Sequence, residues 1–217
     1  VKNSCGYFAK DGMDLIDLFI GQEGTLSIIT GIEMGLVKKP AQILSLFVFF
    51  KEEENAWAFS DKVKGSPGRG VLSVEYFDRN AVGLLKRKSP NIPPDSAAAI
   101  FLEQDSSGMS EGDAVAWWES VIPKFNTSLD ATWVAMNEKN ARSFTELRYA
   151  IPESVNEIIR RSGFHKFSTD IAVPADKFQE MLNFYSNSFK TSSLDHVIFG
   201  HIGENHLNVN ILHKSRD

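Results

Sequence analysis

Gly200-His201-Ile202-Gly203-Glu204-Asn205-His206-Leu207-Asn208-Val209-Asn210 decides how the rest of the chain is to be folded. From Leu207 the odd positions Leu207, Val209 and Ile211 are apolar, whereas His206, Asn208 and Asn210 are polar. That period of two belongs to a strand with one packed face and one face of hydrogen-bonding side chains. The apolar run His196-Val197-Ile198-Phe199 comes just before, so a turn over Ile202 to Asn205 predicts a hairpin that brings His201 back beside the polar row. A histidine on such a face is often only a hydrogen-bonded surface or core group. The patch acquires a function only with support from elsewhere in the chain.

Working outward, 217 residues with 42% hydrophobic content can bury one substantial core, or a core plus a short appendage. The net charge is -5, from 23 Lys+Arg against 28 Asp+Glu, and no basic block is interleaved with aromatics. A nucleic-acid surface therefore has little support, and a small molecule or another protein is the expected partner. Cys5 is the single cysteine, which rules out an intrachain disulfide and fits a reducing compartment. No apolar run reaches the ~18 residues of a membrane span, and no charged-then-apolar signal pattern opens the chain. The chain reads as soluble. Val1-Lys2-Asn3 reads as the middle of a longer sequence, and Lys214-Ser215-Arg216-Asp217 stops directly after a strand, so an excised domain is expected.

Lys38-Lys39-Pro40 marks a change of texture and the expected domain break. Beyond it, Gln42 to Phe50 is an apolar run whose length suits a buried strand. Lys51 to Lys64 follows as a helix, with Ala56, Phe59 and Val63 on one side. Gly65-Ser66-Pro67-Gly68-Arg69-Gly70 follows a helix and precedes a strand, the reverse of an anion-binding helix start, and is read as a turn. Val71 to Phe77 is a strand, Asp78 caps a helix to Lys88, and Ala97 to Glu103 is the next strand. Gly112 to Phe125 is a helix on which only one of Trp117 and Trp118 can point inward, and Ala131 to Met136 is a strand. Two strand-helix-strand units in this order predict an α+β fold: a ferredoxin-like α/β sandwich with an antiparallel sheet and helices mainly on one face. A helix from Asn137 to Arg161, kinked near Pro152 and ended by Gly163, an extended stretch to Pro174 and a further helix lead to the hairpin.

Three stretches together resemble one family. The quoted Gly-His stretch looks like the Gly-His signature of FAD-linked oxidases, the D-lactate and D-2-hydroxyglutarate dehydrogenase and glycolate oxidase group. Lys2-Asn3-Ser4-Cys5-Gly6-Tyr7 and Leu18 to Thr30, with Gly21-Gln22-Glu23-Gly24-Thr25-Leu26 at its centre, are similar to the end of that family's FAD-binding domain. Arg148 through Lys166 to Thr169-Asp170-Ile171-Ala172-Val173-Pro174 resembles it a third time.

The resemblance implies that residues 1–40 are the tail of an FAD-binding domain and 41–217 a substrate-binding cap domain, truncated at its C-terminus. It implies FAD contacts at Gly21, Glu23, Gly24, Thr25 and Ile29. Arg148, Lys166 and Asn210 would hold a small 2-hydroxy acid, and His201 and His206 would be the catalytic histidines. A guanidinium gripping a carboxylate through two hydrogen bonds, with an ammonium beside it, suits that substrate. In metal-using members two histidines of the signature and a later acid hold a divalent ion. Here His201 matches the first ligand, but Asn208 stands at the second and His206 where the family has Asn, so a metal is not expected.

The family's Glu-His-Gly segment would lie beyond Asp217 and its diphosphate-binding region before Val1, which predicts that the chain alone is inactive. The implied partners are an electron acceptor protein or a quinone, and a homodimer or a larger complex. The expected location is the cytoplasm, with the periphery of the inner membrane as an alternative. A non-catalytic subunit or a plain ferredoxin-like binding module is the competing function.

Overall fold

The computed structural model describes residues 6–66, 68–163, 165–192 and 194–212. Lys2 to Cys5 of the second matching stretch, Pro67 of the glycine cluster, Phe164 of the extended stretch and the end from Lys214 to Asp217 lie outside the described residues. The chain divides into two compact units, Val1–Lys39 and Pro40–Asp217.

The larger unit is built on β1 (Ile43–Phe50), α1 (Glu53–Lys64), β2 (Val71–Phe77), α2 (Arg79–Lys88), β3 (Ala98–Asp105), α3 (Glu111–Val121) and β4 (Thr132–Ala135). These are followed by α4 (Glu138–Ser162), β5 (Phe167–Ala172), α5 (Phe178–Ser192), β6 (Asp195–Gly200) and β7 (His206–Leu212). The strands form one seven-stranded sheet in the order β4-β1-β3-β2-β6-β7-β5, with every pairing antiparallel. In β4-β1-β3-β2, strand β3 lies between the two strands of the first strand-helix-strand unit, which is the split arrangement of a ferredoxin-like sandwich. The hairpin β6-β7 and strand β5 widen it past β2.

The α+β class and the antiparallel sheet are those expected. The helices divide more evenly than expected, with α1, α3 and α5 on one face and α2 and α4 on the other. Strand β1 shows why. Leu44, Leu46, Val48 and Phe50 enter one core while Phe47 and Phe49 enter the other, and a strand apolar on both faces must be covered on both. Phe47 anchors the second core, with its ring 5.1 to 6.1 Å from those of Phe49, Phe77, Phe101, Trp133 and Phe144.

Of the adjacent tryptophans, Trp118 is the inward one, and it donates through Nε1 to Gln104 Oε1 at 2.6 Å. Helix α2 begins at the foreseen cap, with Asp78 Oδ1 accepting from Ala81 N at 2.7 Å. Helix α4 continues through Pro152 and ends at Gly163, whose φ of 72° is left-handed. Because proline has no N–H, the carbonyl of Arg148, four residues earlier, loses its helical donor. None of the described helices is long and apolar enough to cross a membrane.

The smaller unit holds a 3₁₀ turn at Leu15–Leu18 and a loop organised by Gln22. The Gln22 side chain is buried, donates to Ser27 O at 2.9 Å and accepts from Leu26 N at 2.7 Å. Around it Ile16, Ile20, Ile28, Ile29, Ile32 and Leu36 are all exposed.

Candidate active site around Glu75

The hairpin forms as its period requires. His206, Asn208 and Asn210 lie on the face of β7 opposite to Leu207 and Val209, which enter the α1, α3 and α5 core. The polar row therefore faces the α4 side. The connection is a 3₁₀ turn at Ile202–Glu204 closed by left-handed Asn205, whose N–H donates to Ile202 O at 3.1 Å. Gly200 lets the strands meet. Its φ is +151°, and a Cβ there would stand 2.9 Å from His206 O and 3.1 Å from Leu207 Cα. The close approach leaves the rings of His201 and His206 with centroids 5.5 Å apart, inclined by 30°.

The group that organises this patch is Glu75, in the middle of β2. Its neighbours Val74 and Tyr76 pack into one core and Phe77 into the other, and its own side chain is 6% exposed. Ionised carboxylates so deep in a fold need compensating partners. Glu75 Oε1 accepts from Arg148 Nη2 on α4 at 2.7 Å and lies 2.7 Å from His201 Nδ1. One oxygen thus joins three elements distant in sequence. Sequence reading missed it, although an acid set between Val74 and Tyr76-Phe77 in a strand is a signal that could have found it.

Of the expected substrate residues, only Arg148 lies in this contact. Lys166 donates to Asn156 Oδ1 at 3.4 Å and is exposed. Asn156 lies two turns along α4 from Arg148, about 12 Å at the usual helical rise, so the two cations are not brought onto one anion. Asn210 is buried and donates to Val197 O at 3.5 Å. His206 is buried, with Nε2 against Asp170 Oδ1 on β5. Asn208 pairs with Phe199 across β6 and with Asp170 across β5.

His201, 43% exposed, also lines a cavity of about 480 Å³ with Lys64, Arg69, Gly70, Ser73, Gly203 and Glu204. Ser66, Gly68, Arg69 and Gly70 line one wall, so part of the cluster read as a turn shapes the approach to the hairpin. Toward the other end of β2, Tyr76, Asp78, Glu53 and His196 line a smaller cavity of about 230 Å³. Burial pushes the carboxyl of Asp78 well above the ordinary aspartate range, and the main-chain N–H of Ala81 opposes it.

A sequence profile described as "FAD linked oxidases, C-terminal domain" matches residues 39–217. The chain belongs to this family. FAD linked oxidase relatives extend the match over the whole chain. The D-2-hydroxyglutarate dehydrogenase, mitochondrial, of Danio rerio is 22% identical over 100% of this chain and 40% of its own length. The probable D-lactate dehydrogenase, mitochondrial, of the same organism is 24% identical over 89% of this chain and 38% of its own length. The glycolate oxidase subunit GlcD of Bacillus subtilis (strain 168) is 25% identical over 93% of this chain and 42% of its own length. The chain thus spans about 40% of the length of the first of these relatives.

The cytoplasmic expectation, with its inner-membrane alternative, is overturned by the relatives from Danio rerio and Rattus norvegicus that carry mitochondrial names. It rested on a low cysteine count and an unremarkable composition, which report redox conditions and not an address.

The loop of the smaller unit leaves room for a ligand to approach its main chain. Gly21, Glu23 and Gly24 have φ values of 78°, 51° and 75°, and no atom lies within 4 Å of where a Cβ would stand on either glycine. Such a loop lets main-chain amides approach a ligand closely. Thr25 closes it, donating from Oγ1 to Gln22 O. A divalent metal does not fit the donors in the same way. Among the described residues no three of His, Cys, Asp or Glu gather as a ligand set, and the second ligand position holds an amide.

Proposed function

We propose that this chain is the substrate-binding part of a longer FAD-dependent oxidoreductase that oxidises a 2-hydroxy acid of the D-lactate, glycolate or 2-hydroxyglutarate type. The observation that carries the reading is the shared contact of Arg148 and His201 with Glu75, which sets an anion-gripping fork beside an imidazole. In this reading residues 1–40 complete an FAD-binding domain and 41–217 form the cap. The exposed apolar side chains of the smaller unit support a covering surface there.

One N–H of Arg148 is committed to Glu75, and the remaining donors of its fork are offered to the substrate carboxylate. Lys166, exposed and held at Asn156, adds positive charge to the approach and not to the same carboxylate, and the buried Asn210 keeps its hydrogen bond to Val197 O. His201 takes the hydroxyl proton at Nε2, and His206, held by Asp170, flanks it. Gly21, Glu23, Gly24, Thr25 and Ile29 would hold FAD, which when bound would supply the acceptor for the hydrogen and electron pair of the α-carbon. The product is the 2-oxo acid. Electrons then pass to an electron acceptor protein or a quinone, and the protein acts as a homodimer or as a subunit of a complex.

The test is steady-state kinetics on the full-length protein. Arg148→Met should raise KM for the acid by roughly tenfold or more, and His201→Asn should lower kcat by about a hundredfold or more. Both variants staying within about twofold of the parent, against the losses expected of a lost base and a lost anion grip, would overturn the assignment. Asn208 in the second ligand position favours a second reading, a non-catalytic subunit. Metal uptake or activity appearing only in Asn208→His would support it.

A further inference from the structure

We propose that Glu75 is a positioning residue that fixes the proton of His201 on Nδ1, leaving the Nε2 lone pair open, and sets the plane of the Arg148 guanidinium with the same oxygen. The family reading assigns it no role. The inference rests on the proposed function for its meaning in turnover, but not for its geometry.

An ionised carboxylate offers only acceptors, so an imidazole nitrogen 2.7 Å from Glu75 Oε1 must present a hydrogen to it. Neutral imidazole carries one N–H, and if that hydrogen is on Nδ1 then Nε2 is bare. The carboxylate is 6% exposed, and the guanidinium at 2.7 Å supplies the charge that compensates its burial. The other tautomer would set a lone pair against a carboxylate oxygen. A carboxylate that accepts from one ring nitrogen fixes the tautomer and the orientation of the ring. The His201 side chain is 43% exposed and lines the cavity of about 480 Å³. The other charged groups in the cavity that His201 lines are Lys64, Arg69 and Glu204. Lys64 is committed to Asp61 at 2.8 Å and Asn205 at 3.0 Å, and Arg69 lies over the Trp117 ring at 4.9 Å, so both cations, which can only donate, are engaged away from the imidazole lone pair. Glu204, the other carboxylate, is exposed, whereas Glu75 is buried against the ring.

Glu75 therefore acts through two other side chains. Removing it should disturb the hydrogen position of His201 before it disturbs the fold, because Arg148 is 27% exposed and can turn to water.

The experiment is nitrogen NMR of the protein labelled at histidine, at a pH above the imidazole titration, with His201→Asn assigning the signals. The expected wild-type spectrum has the hydrogen on Nδ1 of His201. Glu75→Met should reverse the preference, shifting the tautomer ratio by about tenfold or more, the effect of one lost charge-assisted hydrogen bond. Glu75→Gln, which keeps an acceptor oxygen, should retain most of it. If Glu75→Met does not fold, the double variant Glu75→Met with Arg148→Met removes the charge pair together and serves instead. A wild-type His201 with its hydrogen on Nε2, or a folded variant without the acceptor and with an unchanged ratio, overturns the proposal. If no variant folds, the wild-type tautomer alone decides. No substrate enters the measurement, so a correct tautomer in a protein that oxidises no 2-hydroxy acid would sink the functional reading and leave this one standing.

Discussion

Replacing Gly200 by alanine should destabilise the larger unit. The φ of +151° is a region that only glycine occupies readily, and forcing another residue there costs about 1–3 kcal/mol. The added Cβ would also meet His206 O at 2.9 Å, Leu207 Cα at 3.1 Å and Asn208 N at 3.2 Å. All three are main-chain atoms of the paired strand, so no rotamer change relieves the contact and β6 must move off β7. Overpacking of that kind adds about 1–3 kcal/mol. A central figure of about 4 kcal/mol corresponds to a Tm lower by about 8–16 °C for a unit of this size. Circular dichroism melts measure it, with Gly83→Ala as the control. Gly83 lies within α2, where a Cβ meets nothing within 4 Å, and alanine there should stabilise by about 0.5–1 kcal/mol. A Gly200→Ala protein melting within about 3 °C of its parent would refute the close-approach account of the hairpin.

Asp78→Asn should alter the pH dependence of stability. Because the folded carboxyl is held well above 3.8, the folded state binds more protons there than the unfolded chain. That contribution is present below 3.8 and is lost as pH rises through the folded value. Asparagine keeps the cap and cannot ionise, so the variant's advantage in urea midpoint should grow with pH, whereas parallel profiles would count against the buried acid. Phe47→Ala should cost about 3–5 kcal/mol in chemical denaturation, since it empties the centre of the aromatic cluster. Lys166→Met should leave stability within about 0.5 kcal/mol, its contact with Asn156 being exposed. A larger loss would mean that the ammonium has a structural partner.

Regular elements were legible where periodicity was strong. The hairpin, the Asp78 cap, the Gly163 terminus and the limit of one inward tryptophan follow from spacing and local chemistry, whereas which of the two turns inward emerged only from the fold. Strand β1 carried more information than was drawn from it. A run from Leu44 to Phe50 that is apolar except at Ser45 implies cover on both faces, and α2 and α4 provide the second. The site was legible only as letters. Arg148 and His201 could be named singly, but that they meet on Glu75 depends on β2 lying beside β6, a long-range pairing with no local signature. Lys166 was placed with Arg148 by likeness to the family pattern, whereas in the fold it turns toward Asn156.

The most direct measurement is an anaerobic titration of the full-length, flavin-loaded protein with D-lactate, glycolate and 2-hydroxyglutarate, followed by flavin absorbance. The account predicts bleaching by at least one of the three acids, with the matching 2-oxo acid formed in equal amount. A flavin that stays oxidised with all three, in a protein whose reduction by dithionite is normal, would contradict it.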